Sequence, residues 1–199
     1  MMESLFVCPL IRTYIQEDTN ILNEIKDYSV PSKVTDTRVL EKHPDIKKIM
    51  LDAFYEVAKK VGYKERDYVI TTSWITMLTR SYNRQQSGDV HNHRNSFWSG
   101  VYYFQNEYPE GSAPIQFYNP LETFSDVVMM GSDLVERNPI NTSYWQFNPE
   151  PKQLILFPSY LQHQVMLQDN DETRCSLAFN IMPIGHWGDG DSALDTQWI

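Results

Sequence analysis

The feature that most constrains this chain is a change of hydrophobic period near residue 66. Before it, Ile46, Ile49, Met50, Phe54, Val57 and Val61 recur at i, i+3, i+4 spacing, the pattern of a helix with one buried stripe. Pro44 suits the first turn of that helix, and Gly62 ends it as a residue that tolerates a left-handed backbone. From Tyr68 onward the period is two. The segments Tyr68–Thr79, Phe97–Phe104, Ala113–Tyr118, Ser143–Phe147, Gln153–Phe157, His163–Leu167 and Thr173–Met182 are rich in β-branched and aromatic residues, as strands are. Turn residues such as Pro109-Glu110-Gly111, Asn119-Pro120 and Asp169-Asn170-Asp171 separate them. A short N-terminal helix is expected around Thr19–Lys26. One long packing helix and a run of short strands predict a mainly β fold, with a jelly-roll double sheet as the architecture.

At 199 residues the chain is expected to form a single domain. Its parts are a helical N-terminal part (about 1–66), a β core (about 67–183) and a C-terminal tail (184–199) without β pattern. Hydrophobic residues make up 41%, enough to build a core, so disorder is excluded. No apolar run approaches the ~20 residues of a membrane span. The opening MMESLFVCPLIRTY lacks the basic start and small-residue cleavage site of a secretion signal. A net charge of −9 and the lack of a basic stripe disfavour nucleic-acid partners. Cys8 and Cys175 form no motif and read as reduced thiols, which points to the cytoplasm.

Chemistry concentrates in the histidines. His91-Asn92-His93 stands directly before a strand, and in extended chain residues i and i+2 point to one side. Both imidazoles can therefore reach a single ion. His163 follows the turn Phe157-Pro158-Ser159-Tyr160 and opens another strand. Imidazole suits iron, zinc, copper and nickel, so this spacing does not choose the metal. His43 reads as a helix-entry residue and His186 as part of a C-terminal loop.

Ten residues after His163 the strand Thr173–Met182 begins. Alternation puts Arg174, Ser176, Ala178 and Asn180 on one face and the apolar Cys175, Leu177, Phe179 and Ile181 on the other. A buried arginine needs a partner, and its fork matches a carboxylate. That carboxylate is either a ligand's or one of the protein's own. Trp74, Trp98, Trp145, Trp187, Trp198 and Gln116 are further candidates for a substrate groove.

The order of these motifs resembles the 2-oxoglutarate and Fe(II)-dependent oxygenases. The run His91-Asn92-His93-Arg94-Asn95-Ser96-Phe97-Trp98-Ser99-Gly100-Val101-Tyr102-Tyr103 is similar to the HxHxNSxxSGVYY motif of a bacterial and phage branch. LILFPSYLQHQVMLQDNDETRCSLAFNIM (154–182) resembles its LLLFPSWLxHxV…RxSxSFN motif. Asn119-Pro120 stands where that branch usually has Asp-Pro. The resemblance spans about Ile70 to Met182. It implies a double-stranded β-helix holding Fe(II), with 2-oxoglutarate as cosubstrate. His91, His93 and His163 take the metal-ligand positions, and Arg174, Ser176 and Tyr103 take the positions that hold the far carboxylate of the cosubstrate. His93 stands where most of the superfamily places Asp or Glu, and Asp89 is an alternative third ligand. The implied activity is hydroxylation of a small molecule or a protein side chain, with release of succinate and CO2. Two other readings are a three-histidine, cupin-like dioxygenase without 2-oxoglutarate and a non-enzymatic jelly-roll binding module.

Overall fold

The apolar stripe of Pro44–Val61 forms one continuous helix, α1, which buries Ile46, Met50, Phe54 and Val57. Pro44 sits in its first turn, and Gly62 closes it at φ 87°. This computed structural model describes residues 7–19, 28–30, 33–80, 89–121, 135–139 and 141–196. The short helix expected around Thr19–Lys26 falls almost wholly outside them.

The strands are β1 (Ile11–Tyr14), β2 (Ser29–Val30), β3 (Lys33–Val34), β4 (Tyr68–Leu78), β5 (Trp98–Tyr102) and β6 (Ile115–Tyr118). They continue with β7 (Tyr144–Phe147), β8 (Gln153–Pro158), β9 (His163–Val165), β10 (Arg174–Pro183), β11 (Gly185–Trp187) and β12 (Leu194–Thr196). A five-stranded sheet has the order β1-β8-β5-β10-β4, and a three-stranded sheet the order β7-β6-β9. Their ladders are all antiparallel. The result is the mainly β double sheet with one packing helix that the hydrophobic periods predict.

Alternation along β10 separates two cores. Cys175, Leu177, Phe179 and Ile181 pack with Met50, Phe54 and Trp98 on the helix side of the large sheet. Ala178 joins Val101, Tyr103, Ile155 and Phe157 of the same sheet against Ile115 and Phe117 of the small one. The second core is the interior of the jelly roll, and the candidate site residues lie along it.

Strand β4 keeps its period but changes phase. Its register with β10 slips between Asn180 and Ile181, so Thr72 pairs with Asn180 and Ile70 with Ile181, leaving Thr71 as the extra residue of a bulge. The bulge lets Tyr68 and Ile70 face the helix before it and Ile75 after it. It also turns Ser73 inward, where its hydroxyl accepts a 2.8 Å bond from the Leu40 N–H.

Gly100 explains itself by packing. It pairs with Phe179, whose ring occupies its Cβ space: a methyl there would lie 2.2 Å from Phe179 Cζ. Gly100→Ala is expected to lower stability by about 1–3 kcal/mol through overpacking. Phe179→Leu in the same chain should restore part of the loss. Denaturant titration of the single and double variants checks this, and purely additive losses would contradict it.

Two segments depart from the expectation. The N-terminal part contributes a strand, since β1 pairs along the edge of β8 from Ile11↔Leu156 to Tyr14↔Gln153. The tail is also built: β11 and β12 form a hairpin from Gly185↔Thr196 to Trp187↔Leu194. Its Trp187 lines a cavity of 290 Å³ with Tyr63, Lys64, Tyr68 and Phe97. None of the five histidines lines that cavity.

Candidate active site

Backbone bonds bring the three histidines together. The His91 N–H donates to the His163 carbonyl at 3.0 Å and the His163 N–H returns to the His91 carbonyl at 2.9 Å. This closed pair sets the two residues opposite each other, as in an antiparallel ladder. The His93 N–H is tied to the Ser159 carbonyl at 3.0 Å, and Asn95, at φ 56°, turns the chain into β5. Asparagine is among the few residues that tolerate that conformation. The ligand nitrogens of His91, His93 and His163 all lie within 4.8 Å of one another.

The tautomers follow from the acceptors. Nδ1 of His91 meets the Asp89 carbonyl at 2.9 Å, Nδ1 of His163 the Leu161 carbonyl at 3.0 Å, and Nδ1 of His93 the Asn180 Oδ1 at 2.7 Å. Each of these oxygens only accepts, so each Nδ1 carries the proton and each Nε2 keeps its lone pair. That is the tautomer of a metal-ligating imidazole held from outside. The support for His93 extends further, since Ser99 Oγ lies 2.9 Å from its Nδ1 and donates to Asn180 Oδ1.

Burial favours the neutral imidazole at His163 and His93. It pulls His163 down to about 4 and lowers His93 as well, where the neighbouring His91 adds a smaller lowering. His163 packs against the touching pair Phe117 and Phe157, and Trp74 stands 5.6 Å from the His93 ring. His91 is the exposed member of the three. A folded-state value below the ordinary 6.5 means that the unfolded chain binds protons more readily. The stability of the metal-free protein is therefore full above about 6.5 and is lost as pH falls towards 4, by up to about 3 kcal/mol from His163. Melting curves across that window check this. His163→Gln should flatten the slope, and an unchanged slope in that variant would contradict the assignment.

Deeper in the same interior, Arg174 is 1% exposed. Its guanidinium donates to Ser176 Oγ at 2.9 Å and to the Tyr103 hydroxyl at 3.1 Å, and it lies 5.0 Å from the centre of the Tyr103 ring. Burial pushes the Tyr103 phenol up in spite of the neighbouring cation, so it stays protonated. Both hydroxyls accept from Arg174, which leaves their own protons to donate. Nε of Arg174 is buried and meets no acceptor among the described residues. Among the described residues, no carboxylate forms an ion pair with this arginine. The closed end is a cradle of donors around a buried cation, lacking only an anion. Tyr108 braces it from behind, edge-on to the Tyr103 ring with its hydroxyl on the Cys175 carbonyl at 2.7 Å.

Other sequence candidates sit elsewhere. Asp89 meets His91 with its main-chain carbonyl, and its carboxylate is not part of the histidine cluster. Trp98 belongs to the helix-side core. Phe117 pairs with His163 and shares its side of the small sheet, so the adjacent Gln116 turns to the other face, where Gln146 donates to it at 2.7 Å. His43 does stand at the entry to α1, and His186 lies in the exposed C-terminal hairpin beside Asp195.

A family model described as "Putative 2OG-Fe(II) oxygenase" matches residues 72–180, which is more than half of the chain and contains all six candidate site residues. The chain belongs to this family of oxygenases. It is thus an oxidoreductase, with Fe(II) as its metal and 2-oxoglutarate as its cosubstrate. No curated protein matches the oxygenase in sequence. Solved structures match its fold. A Pseudomonas putida prolyl-4-hydroxylase aligns at 9% identity with a TM-score of 0.53, covering 87% of this chain and 86% of the other. HygX from Streptomyces hygroscopicus, solved with iron bound, aligns at 9% identity with a TM-score of 0.54, covering 88% and 83%. HygX has also been solved with nickel and 2-oxoglutarate. A 2OG-Fe(II) family oxidoreductase from Burkholderia pseudomallei aligns over 63% of this chain at 11% identity and a TM-score of 0.43; the oxygenase spans 47% of its length.

Proposed function

We propose that this oxygenase hydroxylates a C–H bond of a small molecule or a protein side chain, with conversion of 2-oxoglutarate to succinate and CO2. The observation that carries this reading is the donor cradle of Arg174, Ser176 and Tyr103, which meets no protein carboxylate among the described residues and faces the same interior as three Nε2 lone pairs. The donor set fits both groups. Three neutral imidazoles suit Fe(II), and a buried planar fork flanked by hydroxyl donors suits a carboxylate.

His91, His93 and His163 hold the iron, and Arg174, Ser176 and Tyr103 hold the far carboxylate of the cosubstrate. When bound, iron and 2-oxoglutarate together supply O2 activation coupled to decarboxylation; the chain supplies position and surroundings. Asn180, Ser99 and the carbonyls of Asp89 and Leu161 aim the three lone pairs. Phe117, Phe157 and Trp74 keep water from the buried side. The exposed edge of His91 is the side from which a substrate arrives. A three-histidine dioxygenase without 2-oxoglutarate would leave the cradle with no role. The whole span 1–199 acts as one catalytic domain, and the acidic surface and free thiols suit a reducing cytoplasm.

Among the described residues no helix is long and apolar enough to cross a membrane. The expected result for Fe(II)-loaded protein given 2-oxoglutarate in air is slow succinate release, lost in His163→Ala. Succinate formation no faster than free Fe(II) achieves would contradict the proposal.

A further inference from the structure

Gln153, the first residue of β8, has a side chain that the roles above do not use. It is completely buried, and among the described residues neither its Nε2 nor its Oε1 has a hydrogen-bond partner. Its main chain is well held, with the N–H on the Glu150 carbonyl at 3.1 Å and the carbonyl accepting from Tyr103 at 2.9 Å.

Alternation fixes where the side chain goes. Leu154 and Leu156 of β8 belong to the helix-side core, whereas Ile155 and Phe157 belong to the interior between the sheets. Gln153 shares the parity of the second pair and faces that interior. The register fixes its depth. Ala178 pairs with Val101, and Val101 with Ile155. Two residues further along each strand, the next interior row is Ser176, Tyr103 and Gln153, and the Tyr103–Gln153 backbone bond joins its last two members. Gln153 therefore stands in the same layer as the two hydroxyls that Arg174 engages.

A fully buried amide with both groups unpaired is worse for folding than a leucine of similar volume. Arg174 Nε, one residue pair deeper, is orphaned as well. Unsatisfied groups gathered around a buried cation call for a missing acceptor rather than for better packing.

We propose that Gln153 is a fourth cosubstrate-binding residue, whose amide N–H donates to the carboxylate held by Arg174, Ser176 and Tyr103. This rests on the reading that the closed end takes the far carboxylate of 2-oxoglutarate. A neutral donor strengthens the grip without adding a second cation, so one arginine faces one carboxylate. The Gln153 Oε1 and the Arg174 Nε–H are a complementary acceptor and donor that the filled layer can pair.

The test uses Gln153→Leu, Gln153→Met and Gln153→Glu in the full chain. Anaerobic titration of the Fe(II) protein with 2-oxoglutarate should give a dissociation constant raised about 10- to 100-fold in the Leu and Met variants, and more in Glu, which faces the carboxylate with a like charge. Fe(II) affinity should not change. In the metal-free, cosubstrate-free protein, the Leu or Met variant should melt at the parent temperature or above it, because an unpaired amide has gone. An unchanged dissociation constant in both variants would overturn the inference. So would a lower melting temperature in both, which would mark the amide as part of the fold, satisfied by a buried water. If the parent binds 2-oxoglutarate and Arg174→Leu weakens it while the Gln153 variants do not, only the role of Gln153 fails. If the parent shows no binding, the reading of the closed end fails with it.

Discussion

Arg174→Leu is expected to weaken 2-oxoglutarate binding by about 2–5 kcal/mol, on the order of 30- to several-thousand-fold. The range sums charge-assisted hydrogen bonds with the cost of leaving a carboxylate desolvated and unpaired. Fe(II) affinity without cosubstrate should stay at the parent's, since the guanidinium reaches Ser176 and Tyr103 and no histidine. Arg174→Lys should recover only part of the loss, because an ammonium cannot make the planar two-point contact. A structural arginine behaves in the opposite way. Paired with a protein acid, it would lower the melting temperature on removal, with and without cosubstrate alike. Here the cation is buried without a carboxylate partner among the described residues, so Arg174→Leu should leave the cosubstrate-free protein at least as stable as the parent.

The second large effect concerns the metal. His91→Ala and His163→Ala should each abolish tight Fe(II) binding, because two remaining imidazoles are too few donors. Either variant retaining stoichiometric iron by calorimetry would remove that residue from the ligand set. His93→Ala should behave in the same way and Asp89→Ala should not, since Asp89 engages His91 through its main-chain carbonyl, which alanine retains. Asn180→Ala removes an acceptor that aims His93 but no ligand nitrogen, so a loss of about 10- to 100-fold in metal affinity is expected, short of abolition.

Much of this was legible from residue types. The stripe from Ile46 to Val61 and the alternation of Cys175, Leu177, Phe179 and Ile181 each report a face that must be buried, and the two cores follow. The cluster of His91, His93 and His163 was legible because an HxH before a strand and a histidine opening another can meet across one backbone pair. What stayed hidden depends on partners remote in the chain. Ile11–Tyr14 is four residues long, too short for a period to stand out, and becomes a strand only because the edge of β8 offers it hydrogen bonds. The hairpin Gly185–Thr196 consists of two three-residue strands that pair with each other, too short for a period to stand out. The bulge at Thr71 changes the phase of a strand whose alternation otherwise holds, which composition does not reveal. Gln153 begins an apolar run and looks like a strand boundary. Only its burial without partners marks it as unusual.

The most direct measurement is an anaerobic titration of the Fe(II)-loaded protein with 2-oxoglutarate, followed by its metal-to-ligand charge-transfer absorbance. The central claim is that the three histidines and the Arg174 cradle hold the two groups side by side. The expected result is a band that saturates at one 2-oxoglutarate per iron, is lost with the metal in His163→Ala, and shifts to much higher cosubstrate concentration in Arg174→Leu. A protein that binds iron but develops no band, or a band that saturates identically in parent and Arg174→Leu, would contradict it.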